Sequence, residues 1–209
     1  MKRIAFIGSG ELSQHIAHYI KTDTDHEIIG FFDDFAELNS TINSYKVIGR
    51  LDDIIPFYNQ GIFDELVNGV GNTRMEYRKR VFERFYTQVP FLTYIHSSCL
   101  VDVSASIGMG VIVFPKVLLY YNSVIENNVF IQVGSTVTDS TVGNHTMISG
   151  NVIIAGRTTI GACCDFGIST TISNDLTLCD NVRTGAGTVI VKNINESGLY
   201  VGVPARKIK

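Results

Sequence analysis

From Val101 onward an aliphatic residue returns at every sixth position: Val101, Ile107, Val113, Leu119, Ile125, Ile131 and Val137. One residue is then dropped. The period resumes at Val142 and continues through Ile148, Ile154, Ile160, Phe166, Ile172, Leu178, Thr184 and Ile190, with Thr184 alone not clearly apolar. Two positions before many of these stand small or β-branched residues: Ser123, Ser135, Ser140, Thr146, Thr158, Thr170 and Thr188. A six-residue period fits neither an α-helix nor a flat amphipathic strand. It suits short strands that turn a corner after each unit and point one aliphatic side chain into a narrow core, which is the hexapeptide signature of a β-helix. A single unit cannot bury its apolar residue, so coils must stack. Ordinary antiparallel hairpins would not keep sixteen positions in phase with one slip.

The chain before the repeat has another pattern. Lys2 to Ile7 reads as a buried strand, followed by Gly8-Ser9-Gly10-Glu11-Leu12-Ser13 and a helical pattern to about Ile20. Gly8 and Gly10 match the first two glycines of a dinucleotide-type loop, where the backbone approaches a phosphate beside a helix N-terminus. Ser13 replaces the third glycine, and a plain strand-to-helix turn is the competing reading. A second strand, Glu27 to Phe32, ends in Asp33-Asp34, where such a unit contacts a ribose or a base edge. The alternative is a solvated loop in which Asp34 starts a turn. Tyr45 to Gly49 and Asp64 to Val70 are further strands; the latter leads into Gly71-Asn72 and a helix from about Arg74 to Phe85. Alternation of this kind predicts a small Rossmann-like parallel α/β domain, with ligands beyond the carboxyl ends of the strands. Gly8, Ser9, Gly10, Asp33, Asp34, Gly71 and Asn72 all fall at such ends. Helical patterns cease near Phe91, which places the domains at 1–90 and 91–209. His96, at the start of the repeat, is expected to be structural.

Composition narrows the function classes. The apolar fraction is 45% and the charged fraction 18% over 209 residues, as in a globular protein. A net charge of −3 with no long basic run argues against nucleic acid as a partner. No apolar run approaches the ~20 residues that span a bilayer. The N-terminal apolar run ends at Gly8, too short for a secretory signal. Cys99, Cys163, Cys164 and Cys179 fit no metal-ligand spacing and suggest packed thiols in a reducing compartment, hence a cytoplasmic protein. No metal is expected.

Three stretches together carry a family resemblance: Gly8-Ser9-Gly10 with Phe32-Asp33-Asp34 and Val70-Gly71-Asn72, the segment GAGTVIVKN, and the tail VKNINESGLYVGVPARKIK. In this order they resemble the bacterial nucleotide-sugar acetyltransferases of the left-handed β-helix class, which include sialic-acid O-acetyltransferase-like and bacillosamine-pathway N-acetyltransferases. The resemblance implies a homotrimer with acetyl-CoA as co-substrate in the groove between neighbouring prisms. It implies a nucleotide-linked amino sugar as acceptor, best represented by a UDP- or dTDP-4-amino-4,6-dideoxyhexose of surface-glycan synthesis. By the same resemblance Gly8, Ser9, Gly10, Asp33 and Asp34 cradle the nucleotide, Gly156 lies near the thioester, and Gly185, Ala186 and Gly187 follow the pantetheine.

One departure matters. The family usually carries a histidine followed by an acidic residue where this chain has Val137-Thr138-Asp139-Ser140-Thr141-Val142-Gly143. Counting from either side of the slip puts Thr138 or Asp139 at the histidine position. A second family histidine is matched by Met147, with His145 two residues away. Three readings stay open. Asp139 serves as base or orienting carboxylate, His145 reaches the site from a shifted corner, or the sugar amine binds already deprotonated and needs no protein base. The last favours N- over O-acetylation, because an alcohol needs a base far more than an amine does. An O-acetyltransferase and a non-catalytic sugar-binding trimer are the alternatives to N-acetylation. An NAD oxidoreductase fits less well, since the GxG half is short and its loop incomplete.

Overall fold

The computed structural model describes residues 1–209 and divides into two compact units, Met1–Tyr94 and Ile95–Lys209. The division falls four residues beyond Pro90. The reason is local: the Leu66 N–H donates to the Pro90 carbonyl, and the Leu92 N–H to the Leu66 carbonyl, so Phe91 bridges to Leu66 and the chain stays with the first unit.

The first unit is a five-stranded sheet. Its strands are β1 (Arg3–Ile7), β2 (Glu27–Phe32), β3 (Thr41–Ile42), β4 (Tyr45–Gly49) and β5 (Glu65–Asn68), in the order β3-β4-β2-β1-β5. β4, β2, β1 and β5 run parallel; only β3 is antiparallel, in a hairpin with β4. The connecting helices are α1 (Glu11–Asp23), α2 (Ile54–Asn59) and α3 (Met75–Phe85). α1 buries Ile16, Ala17 and Ile20, spaced as one helical face. Phe6, Phe31 and Phe32 are fully buried on the strands. β2 and β5 lie on either side of β1, so the order reverses there, and loops after all three strands gather at one end. The short helix α2 and the strand β3 were not expected from the sequence. Each is too brief to show a period.

The second unit is a left-handed parallel β-helix. Three sheets form its faces. Face A starts at Leu100–Val101, face B at Ser106–Ile107 and face C at Tyr94–Ile95. Strands one coil apart pair in parallel register, for example Leu118 with Thr136 and Leu119 with Val137. The second residue of most strands is the in-phase aliphatic one and points inward, and from Val113 to Ile190 these residues form one buried column. Thr184 keeps its place in that column by bonding: its hydroxyl lies 2.7 Å from the Thr170 hydroxyl and accepts from the Gly167 N–H. The positions two before the aliphatic residue also face inward. Where they are serine or threonine their hydroxyls are paired, to a carbonyl of the neighbouring coil as Ser123 to Val137 and Thr158 to Ser173, or to one three residues back as Thr170 to Gly167 and Thr188 to Gly185.

From Gly110 to Gly187 each corner has one residue in the left-handed region. These seats are Gly110, Lys116, Asn122, Asn128, Gly134, Asp139, His145, Asn151, Arg157, Cys163, Ser169, Asp175, Asn181 and Gly187. They recur every six residues, with five between Gly134 and Asp139. Asparagine, aspartate and glycine dominate because they tolerate positive φ best. The tail closes the helix as an antiparallel pair, Gly198–Val201 with Arg206–Lys207.

Candidate active site

The loops at the carboxyl ends of the first unit's strands differ in how much of their chemistry the fold consumes. Gly8 sits at φ +84°, a conformation that demands glycine, and its N–H donates to the Phe32 carbonyl at 2.8 Å. The Ser13 hydroxyl donates back to the Gly8 carbonyl at 2.6 Å. Asp33 is fully engaged. One carboxylate oxygen accepts from the Ser9 N–H at 2.8 Å and the Ser9 hydroxyl at 2.7 Å; the other accepts from the Phe35 and Ala36 N–H groups at 2.8 and 3.1 Å. Four donors fill the acceptor capacity of a carboxylate. Burial pushes the Asp33 carboxyl up, but the Ser9 hydroxyl and the three amides outweigh it and hold it below the ordinary aspartate value. Asp33 therefore pins the β1 loop to the β2 loop, and its oxygens are spent on protein donors. Asp34 is exposed and gives one oxygen to the Leu51 N–H at 2.9 Å.

Two glycines at this end are required by neither backbone nor packing. Gly10 and Gly71 have ordinary negative φ, and a Cβ on either would meet nothing within 4 Å. Gly10 opens α1 with no side-chain cap, so the cap residue satisfies none of the first N–H groups of the helix. Asn72 is exposed beside Gly71. Behind this loop Arg78 is completely buried and donates to the Asn68 and Val70 carbonyls at 2.8 and 2.9 Å, which fixes the path into Gly71. Burial lowers its guanidinium to about 9. A cavity of about 290 Å³ lined by Lys21, His26 and Tyr45 lies at the opposite, amino-terminal ends of the strands.

In the β-helix the predicted residues separate onto three different corners. Thr138, Asp139 and Gly156 share the corner between faces A and B. His145 lies between faces B and C. Gly185, Ala186 and Gly187 lie between faces C and A. The dropped residue is absorbed at the first of these, where three residues, Thr138 to Ser140, make a turn that takes four elsewhere. Its bonding is rearranged as a result. At most other corners the seat residue's N–H donates to the carbonyl of the residue just before the seat one coil below, as His145 does to Asn127; Lys116 and Asn122 donate instead to the Ser98 and Ser104 hydroxyls. Arg157 instead donates to the Asp139 carbonyl itself, at 2.7 Å, and the Thr138 carbonyl takes the Ser140 hydroxyl, also at 2.7 Å. Both backbone groups of Asp139 are thus bonded, its N–H to Tyr121 at 3.0 Å. Its half-buried carboxylate accepts no hydrogen bond from the protein.

His145 does not join that corner. It is buried, and its Nδ1 lies 2.9 Å from the Asn128 side-chain nitrogen one coil below. Asn128 and His145 occupy successive seats of one column, which is a structural arrangement. Met147 is buried on face C.

The glycines of the repeat sort themselves the same way. A Cβ on Gly143 would overlap the backbone of Gly161 in the next coil, and one on Gly167 would overlap Thr184 and Gly185. Gly185 is held against Val201, and Gly187 occupies a left-handed seat at φ +67°. Gly156 has neither excuse. Its φ is unremarkable, and a Cβ would make only ordinary contact, 3.7 Å to the Asp139 Cβ and to the Thr138 carbonyl. Its N–H donates to no protein acceptor. No cluster of His, Cys, Asp or Glu could hold a metal ion, and the four cysteines form no disulfide. Burial raises the Cys164 thiol to about 12, which leaves it inert.

An unspent acid beside an unobstructed glycine on one unit, and an open strand-end loop on the other, can now be set beside known proteins. Residues 3–85 match the PglD N-terminal domain. The likeness extends over the whole chain in solved structures. The acetyltransferase domain of PglB from Neisseria gonorrhoeae, solved with acetyl coenzyme A, is 26% identical with a TM-score of 0.86, covering 99% of this chain and 98% of that one. GDP-perosamine N-acetyltransferase from Caulobacter crescentus, solved as a mutant with CoA and GDP-perosamine, superposes with a TM-score of 0.91 at 21% identity over 99% of this chain and 96% of that one, which shows a shared fold. Among curated proteins, UDP-3-O-acylglucosamine N-acyltransferase of Bordetella pertussis is 42% identical over 62 residues, 30% of this chain. The chain covers only 17% of that relative's length. The chain resembles nucleotide-sugar N-acetyltransferases from its first strand to its tail. No helix is long and apolar enough to cross a membrane.

Proposed function

We propose that this protein is an acetyl-CoA-dependent N-acetyltransferase that acts on the amine of a nucleotide-linked amino sugar, with the nucleotide at the strand-end loops of the first unit. The observation that carries the reading is the full-length likeness to the PglB acetyltransferase domain, together with an unspent carboxylate at the one irregular corner of the β-helix. Gly10 and Gly71 leave room for a diphosphate beside the uncapped start of α1. A 4-amino-4,6-dideoxyhexose carried on UDP, dTDP or GDP suits the relatives, and a cytoplasmic location suits substrates of this kind.

Acetyl-CoA supplies the acetyl thioester. The residues at the A–B corner fit its reactive end, because Gly156 leaves the surface beside Asp139 unfilled. The Asp139 carboxylate orients the attacking amine and accepts its proton as the N–C bond forms; the acyl C–S bond then breaks, and CoA leaves as the thiol, taking up that proton. The unpaired Gly156 N–H is a donor for the oxygen that becomes negative. An amine that binds deprotonated attacks with no stronger base, so the absent histidine is compatible with N-acetylation. Half-buried Gly185 with exposed Ala186 and Gly187 provides a corner for the pantetheine arm.

A homotrimer belongs to this reading. Face A and its two corners expose Leu100 at 68%, Tyr120 at 52%, Tyr121 at 54%, Ile153 at 47% and Ile168 at 52%, an apolar surface suited to packing prisms side by side. Sedimentation equilibrium should return three times the chain mass; a monomer would remove the shared groove.

The test is thiol release from acetyl-CoA with a panel of UDP-, dTDP- and GDP-linked 4-amino and 3-amino sugars beside matched hydroxyl sugars. Turnover with an amino sugar and none with its hydroxyl counterpart is expected. Turnover with hydroxyl sugars alone would make the protein an O-acetyltransferase, and silence with nucleotide still bound would favour a non-catalytic trimer.

A further inference from the structure

Phe35 is a large apolar side chain left 76% exposed. Its backbone is nevertheless held firmly. Its N–H donates to Asp33, and the Arg50 guanidinium ties the Asp33 and Ala36 carbonyls on either side of it. A rigid loop thus holds out an aromatic ring that packs into no core. The Arg74 guanidinium lies over it, 5.4 Å from the ring centre. Phe35 follows β2, and Arg74 follows β5. Because β1 lies between those strands, this contact joins the loops that flank the β1 loop of Gly8, Ser9 and Gly10.

We propose that Phe35 and Arg74 form a clasp over the β1 loop that a nucleoside diphosphate opens. This deepens the reading above and rests on it. The nucleobase takes the ring face that Arg74 covers, and the displaced guanidinium pairs with the diphosphate. The exchange is favourable because stacking a base on an aromatic ring outweighs a solvent-exposed cation–π contact. Arginine is suited to the second half of the move, since its planar fork serves both an aromatic face and a phosphate. The clasp recognises a π-face rather than a base edge, so it admits uridine, thymidine and guanosine alike. Discrimination among them then falls to other groups, such as exposed Asp34, which gives one carboxylate oxygen to the Leu51 N–H and keeps the other.

The test is calorimetric titration of the full-length protein with UDP, dTDP, GDP and inorganic pyrophosphate, and of the variants Phe35→Ala, Phe35→Trp and Arg74→Ala. Phe35→Ala should weaken each nucleoside diphosphate by about tenfold or more and leave pyrophosphate unchanged, with Phe35→Trp restoring the affinity. Arg74→Ala should weaken nucleotides and pyrophosphate together and flatten the salt dependence of both. Melting temperatures should stay at the wild-type value, because neither side chain is buried. Unchanged nucleotide affinity in Phe35→Ala would overturn the clasp while leaving the nucleotide site standing. Equal loss of pyrophosphate in Phe35→Ala would also overturn it, by showing that the ring only shapes the loop. Wild-type protein that binds none of the three nucleotides would remove the nucleotide site and the clasp with it.

Discussion

Two aspartates show how the two units of this chain use the same chemistry for opposite ends. In the α/β unit, Asp33 spends both carboxylate oxygens on four donors, three of them backbone amides. In the β-helix, Asp139 spends its backbone on the neighbouring coils and leaves its carboxylate without a protein donor. The first is a pin that shapes a loop. The second leaves a carboxylate open at a corner of the helix, where the proposed reaction would use it. Sequence position did not separate them: both stand at the end of a short strand, and both match acidic or catalytic positions of a family signature. What separates them is the number of donors the fold brings within reach.

That contrast can be broken by experiment. The largest effect should come from Asp139→Asn, which is expected to lower kcat by about 10²-fold while the melting temperature stays put. A near-wild-type rate would take Asp139 out of the reaction and return the choice to an amine that needs no base. Asp33→Asn should do the reverse. It should destabilise the first unit by about 1.5–3 kcal/mol at neutral pH, the range for hydrogen bonds to a charged group, with kcat at saturating substrate nearly intact. The sign with pH follows from the lowered Asp33 value. The folded form holds the carboxylate below its ordinary pKa of 3.8, so the stabilisation is fully present above that value and is lost as pH falls through the folded one. Melting curves of wild type and Asp33→Asn should therefore converge only below about pH 4. Persistent separation in strong acid would mean that the substitution damages the loop by shape rather than by charge.

Two glycines sharpen the same comparison. Gly69 is packed against Ser13, and an added Cβ would overlap its hydroxyl. Gly69→Ala should cost about 1–3 kcal/mol, and Ser13→Gly in the same chain should recover part of it. Gly156 is free of such contacts. Gly156→Arg should leave stability close to wild type and raise the KM for acetyl-CoA, whereas a rise only in the sugar KM would move the donor elsewhere. The smallest effect is expected at Lys116, which occupies a left-handed seat at φ +62°. Lys116→Gly should stabilise the helix by no more than about 1 kcal/mol, read as a rise in its melting temperature.

Much of the architecture was legible because it is encoded locally. The apolar period, the slip after Val137 and the strand ends at Gly8, Asp33 and Gly71 all depend on spacings of a few residues. The left-handed seats were legible too, in the recurrence of Asn122, Asn128, Gly134, Asn151, Asp175, Asn181 and Gly187 on the same six-residue grid. That signal would have shown that Asp139 and His145 each start a corner, and that the two are different corners. Proximity in sequence was misleading for His145, since six residues carry the chain from one edge of the prism to the next.

The sequence by itself determined that a parallel α/β unit precedes a stack of hexapeptide coils, because periodicity and turn chemistry act over a single turn or strand. Only the tertiary structure decided which acid is spent and which is left over. Asp33 meets Ser9 from 24 residues away, and the corner of Asp139 is built against coils 18 residues away on either side. Hydrogen-bond capacity is filled by whatever the fold brings within about 3 Å, and that inventory exists only once the strands have paired.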